Sequence, residues 1–153
     1  MRRAPEAATS PITAVRQAAT TLKVDTIRQG LLEITPRVRE WVAAQSMRHG
    51  VLTVYCRHTS ASLLIQENAA REVAQDLEHY FARVAPESAT AYAHQDEGPD
   101  DMPAHLRTAL TGVSLSIPLV AADLALGTWQ GIFLFEHRHR AHRREIVLHL
   151  IGE

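Results

Sequence analysis

Apolar and polar positions take turns from the start of the ordered-looking part of the chain. Leu22 and Val24 alternate with Thr21, Lys23 and Asp25, the period of a half-buried strand. Gly30 marks a turn, and residues 31–34 form a short apolar strand. Thr35 offers a capping hydroxyl and Pro36 suits the first helical position, so a helix starts there. Its stripe of Val38, Trp41, Val42 and Met47 runs to His49 and Gly50. Residues 51–56 are apolar on both faces, as a central strand would be. His58, Thr59 and Ser60 interrupt the run, and residues 62–65 resume it. Asn68 stands where it can cap a second helix over 69–84, in which Val73, Leu77, Phe81 and Val84 recur at helical spacing.

Residues 86–101 form a polar loop containing HQDEGPDD. A short helix over 103–110 follows, with Gly112 as its C-terminal cap. The rest reads as strands. Val113, Leu115, Ile117 and Leu119 alternate with Ser114 and Ser116; a turn over 121–123 leads to 124–126. Residues 128–136 make a longer strand, with Trp129, Phe133 and Phe135 on one face and Thr128, Gln130, Ile132, Leu134 and Glu136 on the other. A basic turn, HRHRAHRR, precedes a last strand over 144–151. Three helices in a strand-rich order predict an α+β domain around a mostly antiparallel sheet. Residues 1–17, rich in Ala, Pro and Thr without periodicity, read as a mobile tail. Residues 18–153 then form a single domain, as a length of 153 residues leads one to expect.

Composition narrows the function classes. The hydrophobic fraction of 46% and charged fraction of 22% are those of a globular protein. Sixteen basic against seventeen acidic residues give a net charge of −1, which argues against a general nucleic-acid binder. No apolar run approaches the roughly 20 residues of a membrane span. No continuous apolar segment follows the N-terminal arginines, so the expected location is cytoplasmic. Cys56 is the only cysteine and reads as strand packing rather than a nucleophile. Nine histidines stand out, because histidine is the commonest metal ligand.

Polar residues lie where the pattern expects core in four places: His58 to Ser60, the loop from His94 to His105, the segment from Gly127 to Gln130, and Glu136 with the cationic turn after it. His58, His94 and His105 are far apart in sequence, so their spacing alone leaves two readings open, a shared metal site or unrelated surface and buried histidines. The acidic loop lacks the pattern of a calcium-binding EF-hand and reads as a solvated loop. Ser60 has no nucleophile elbow around it. Arg138, Arg140, Arg143 and Arg144 read either as exposed cations of a hairpin turn or as an anion site, since guanidinium groups match phosphate oxygens.

RHTSASLLIQEN, Asp76, YAHQDEGPDDMPAHLRTALTG, GTWQGIFLFEHR and the closing RREIVLHLIGE occur in this order. Together they resemble the secondary thiamine-phosphate synthase (YjbQ) family over about residues 20–153. The resemblance implies an α+β sandwich that assembles as a homotrimer, with a metal or anion in a His-rich pocket. It makes His58, His94 and His105 the metal ligands, with zinc favoured and magnesium or manganese possible. It implies catalytic roles for His105, Asp101 and Glu136, the two carboxylates orienting ligands or moving protons. It places Thr59, Ser60, Glu67, Asn68, Thr128, Trp129, Gln130, Arg138, Arg143 and Arg144 against a phosphorylated substrate. The implied reaction joins a hydroxymethylpyrimidine diphosphate to a thiazole phosphate with release of diphosphate. A metal-dependent hydrolase of a small phosphorylated or cyclic metabolite, and a non-catalytic trimer that binds a metabolite or metal, use the same residues. His137 is undecided, and His49, His79, His139, His142 and His149 read as turn or surface residues.

Overall fold

The computed structural model describes residues 14–153. Most of the expected tail, residues 1–13, lies outside the described residues. Arg16 and Gln17, placed in the tail by composition, instead open the first strand, because their backbone pairs with the C-terminal strand.

The elements follow in the order β1 (Arg16–Thr26), β2 (Gly30–Glu33), α1 (Thr35–Ala44), β3 (Gly50–Cys56), β4 (Ala61–Glu67), α2 (Arg71–Val84), α3 (Asp101–Thr111), β5 (Ser114–Val120), β6 (Asp123–Leu124), β7 (Gln130–Glu136) and β8 (His142–Gly152). The fold is α+β, with every strand pair antiparallel. One sheet has five strands in the order β1-β8-β3-β5-β6, and the other has three in the order β2-β7-β4. A single apolar core joins them. Val24, Leu52, Val54, Ile146 and Leu148 from the large sheet meet Leu63, Ile132 and Leu134 from the small one. The alternation read in β1 and β5 is the alternation of residues facing this core and residues facing away; β3, expected to be apolar on both faces, alternates in the same way, with Leu52 and Val54 buried and Val51 and Tyr55 exposed. Among the described residues no helix is long and apolar enough to cross a membrane.

Tertiary partners take both expected capping side chains, and two helix starts differ from those expected. The Thr35 hydroxyl does not cap α1; it accepts the Ile132 N–H of β7 at 2.7 Å, which ties the helix start to the small sheet. Asn68 does not cap α2. Its side-chain amide donates to Glu33 at 3.1 Å, and the helix starts at Arg71. The third helix starts two residues earlier than expected, so Asp101 falls in its first turn and Pro103 is held within that turn. Gly112 does end α3. It takes φ +99°, a left-handed region that suits glycine, and its N–H closes on Thr108.

β7 is shorter than expected and central. It pairs with β2 on one side and β4 on the other, and residues 131–136 are buried on both faces. Phe135 lies under α2, with Phe81 edge-on to it at 5.5 Å. Trp129 leaves the strand and is 64% exposed. All three helices pack at or beside the small sheet. The outward face of the large sheet carries exposed Val51, Tyr55 and Ile151.

Candidate metal centre

α3 builds the site. Asp101 and His105 are four residues apart on it, so they share one face. The loop before the helix brings His94 to the same place. Its Nε2 is 2.8 Å from Asp101 Oδ2, and His105 Nε2 is 3.6 Å from that same oxygen. One ligand atom from each of the three residues lies within 4.8 Å of the others. Two imidazoles and a carboxylate around one point are a donor set that suits zinc with a position left open.

The supporting contacts fix these donors. His105 Nδ1 donates to the Thr59 carbonyl at 3.0 Å, which leaves the Nε2 lone pair facing Asp101. Arg138 holds the far oxygen of Asp101, Nη1 to Oδ1 at 2.5 Å. The same guanidinium donates to Asp100 Oδ2 at 3.1 Å, to Glu97 Oε2 at 3.3 Å and to the Glu97 carbonyl at 2.8 Å. One cation faces three carboxylates here, an excess of negative charge that favours a bound cation. Burial pushes the Asp100 carboxyl up, but the His139 N–H and Arg138 outweigh it and hold its pKa below the ordinary value.

His58 does not join the other two histidines. Its Nε2 accepts the Glu145 N–H at 2.8 Å. It does line, with His105, a cavity of about 600 Å³ bounded also by Tyr55, Arg57, Thr59 and Thr108.

Glu136 is almost fully buried, and all its acceptor positions are filled. Arg144 donates twice, at 2.5 and 2.7 Å, the Arg138 N–H once at 2.9 Å and the Thr26 hydroxyl once at 2.7 Å. Burial opposes its ionisation; these donors prevail and lower its pKa. It stands as a structural anion, with no free lone pair to take a proton from a substrate. Arg144 also reaches Ser60 Oγ at 3.2 Å. The exposed Arg143 pairs with Asp25 on the neighbouring strand at 2.7 Å. The three arginines expected at a phosphate therefore each face a carboxylate.

The remaining expected residues lie elsewhere. Glu67 pairs with Gln130 at one end of the β4–β7 ladder, and Ala61 pairs with Glu136 at the other. Six residues of strand span about 20 Å. Glu67, Asn68, Thr128, Trp129 and Gln130 are therefore grouped at the end away from α3. Gln130 Oε1 there accepts the Gly127 N–H at 2.8 Å.

Two features were not marked in the sequence. Asp101 as a ligand alongside His94 and His105 was hidden by the late helix start; a helix beginning at Asp101 turns D-x-x-x-H into a one-face pair. The other is a buried polar chain behind the site. Thr111 Oγ1 is 2.7 Å from Ser62 Oγ, which is 2.8 Å from His137 Nε2. Burial, then the nearby Arg107, push the His137 pKa down to about 3. Its Nδ1 has no partner among the described residues.

With this geometry in hand, relatives place the chain. A family model described as "UPF0047 protein YjbQ-like" matches residues 20–153. A UPF0047 protein of Synechocystis sp. is 47% identical over 138 residues, covering 90% of this chain and 94% of that one. The UPF0047 protein YjbQ of Salmonella typhimurium is 46% identical over 104 residues, covering 68% and 75%. Among solved structures, a YbjQ-like protein from Sulfolobus solfataricus superposes with a TM-score of 0.84 at 25% identity, over 92% of this chain and all (100%) of that one. A conserved protein from Thermus thermophilus superposes with a TM-score of 0.74 at 36% identity, over 84% and 97%. Family model, sequence relatives and fold agree, and the chain belongs to the YjbQ-like UPF0047 family.

Proposed function

We propose that this chain is a metal-dependent enzyme acting on a small phosphorylated metabolite, in the form of a thiamine-phosphate synthase-type transfer. One observation carries the reading: His94, Asp101 and His105 converge within 4.8 Å beside a cavity of about 600 Å³. A divalent cation on these three residues would supply positive charge to a diphosphate or phosphate oxygen. Zinc suits the two imidazoles, and the carboxylate admits magnesium or manganese. The chain's own part is to hold the donors in place. Arg138 prevents Asp101 from turning away, and the Thr59 carbonyl keeps His105 in the ligand-competent tautomer. Tyr55 and Val113 in the cavity lining offer apolar surface against which a ring could rest.

The test is direct. Purified zinc-loaded protein should join hydroxymethylpyrimidine diphosphate to thiazole phosphate, and His105→Ala should abolish the product. Equal product from the variant overturns the reading. A hydrolase of a small phosphorylated or cyclic metabolite is the second reading. It is favoured by the pairing of Arg138, Arg143 and Arg144 with carboxylates, which leaves these three unavailable as a cluster for a diphosphate. A hydrolase turns over without a second substrate. A cytoplasmic homotrimer completes the proposal. The exposed Val51, Tyr55 and Ile151 on the uncovered face of the large sheet support self-association. Light scattering should return three times the chain mass of 17.0 kDa.

A further inference from the structure

His58 lines the cavity that His105 also lines, yet its chemistry there is set by a contact on its other side. Nε2 accepts the Glu145 N–H at 2.8 Å. A ring nitrogen that accepts carries no proton, so in the neutral imidazole the proton sits on Nδ1. Burial, and after it the Arg144 cation, hold the His58 pKa below its ordinary value. Glu145 and Glu136 pull the other way, and His142 adds to the lowering. Among the described residues Nδ1 has no hydrogen-bond partner, and unlike Nδ1 of His137 it is not sealed from solvent. The backbone of β8 thus turns His58 into a group that can donate and cannot accept.

The cavity matches such a donor. Tyr55, Arg57 and Thr59 share its lining, with Arg57 paired to Glu145 at 2.9 Å, and no acidic residue is among the lining residues described. We propose that His58 is a ligand-binding residue of this cavity, a fixed Nδ1–H donor to an anionic oxygen, of which a phosphoryl oxygen is the probe of choice. This deepens the reading above and rests on it for the neighbouring cation. It gives His58 a role that is not metal ligation.

Histidine-labelled full-length chain, with and without zinc, decides the matter by long-range proton–nitrogen NMR and titration with inorganic phosphate. The expected result is the Nδ1–H tautomer for His58 at pH 7 and a saturable shift of its Nδ1 signal with phosphate. His58→Phe should weaken phosphate binding about tenfold or more, the scale of one hydrogen bond to a charged group. His58→Asn, which puts an amide N–H close to the Nδ1 position, should stay within about threefold of the parent, and zinc affinity should be unchanged in both. An Nε2–H tautomer, the absence of any phosphate shift at His58, or unchanged phosphate affinity in His58→Phe each overturns the inference. So does loss of zinc from that variant with zinc bound by the parent, which would make His58 a ligand. A parent protein that binds no zinc refutes the metal reading alone, and the tautomer and phosphate shift of the metal-free protein still decide this one.

Discussion

Replacing Arg138 by methionine isolates the charge balance on which the site is built. The guanidinium is nearly sealed, with 4% of its side chain exposed, and it faces Asp101 at 3% and Asp100 at 12%. Methionine fills a similar volume and removes the one cation that, among the described residues, touches both carboxylates. Breaking a buried ion pair from one side costs about 3–5 kcal/mol, because a charge is left without a counterion. For a chain of this size that corresponds to a fall in Tm of about 10 °C. The loss must also depend on pH. The folded-state pKa of Asp100 is lowered, so its ionisation stabilises the fold above the unfolded carboxylate pKa, and that contribution disappears as pH falls through the folded value. Urea unfolding followed by the fluorescence of Trp41 and Trp129, in chelator so that no metal contributes, measures both effects. The expected outcome is a variant destabilised by several kcal/mol at pH 7, with the gap to the parent narrowing below about pH 4. A gap under about 1 kcal/mol at pH 7, or one independent of pH, would refute this account of the Arg138 cluster.

His137 gives a second pH signature. Its folded pKa of about 3 lies below the ordinary 6.5, so the unfolded chain binds the extra proton between those values and stability falls as pH drops through that window. His137→Gln, which keeps a polar nitrogen near Ser62, should flatten the stability slope by about 1.4 kcal/mol per pH unit between pH 4 and 6; an unchanged slope contradicts the assignment. Cys56 is buried, and desolvation pushes its thiol up to about 11, so a thiol reagent should label it only after denaturant is added. Rapid labelling of the native protein would show that β3 opens or that the thiol is more acidic than this.

What the sequence made legible was what local periodicity determines. The alternation in Leu22–Val24 and in Val113–Leu119, and the helical spacing of Val73, Leu77 and Phe81, survive in the fold because the face they define is the face that packs. What it hid were competitions settled by distant partners. The Thr35 hydroxyl and the Asn68 amide have the chemistry of helix caps, but the Ile132 N–H and Glu33 carboxylate claim them. Arg138 and Arg144 look like phosphate ligands in a basic turn, until the chain folds Asp100, Asp101 and Glu136 onto them. For the site, two of three expected histidines do converge. The third was indistinguishable from them in sequence, since nothing near His58 announces that the Glu145 N–H of another strand occupies its Nε2. The place of Asp101 turned on two residues of helix. With the start at Pro103 it is a loop carboxylate, and with the start at Asp101 it shares a face with His105.

The central claim is that His94, Asp101 and His105 hold a divalent cation. Zinc titration by calorimetry on the full chain and on His94→Ala, Asp101→Asn and His105→Ala tests it most directly. The account predicts one tight equivalent per chain in the parent and a loss of at least about tenfold in each variant, as removal of a metal ligand or of its charge entails. No binding by the parent, or an affinity unchanged in Asp101→Asn, would contradict it.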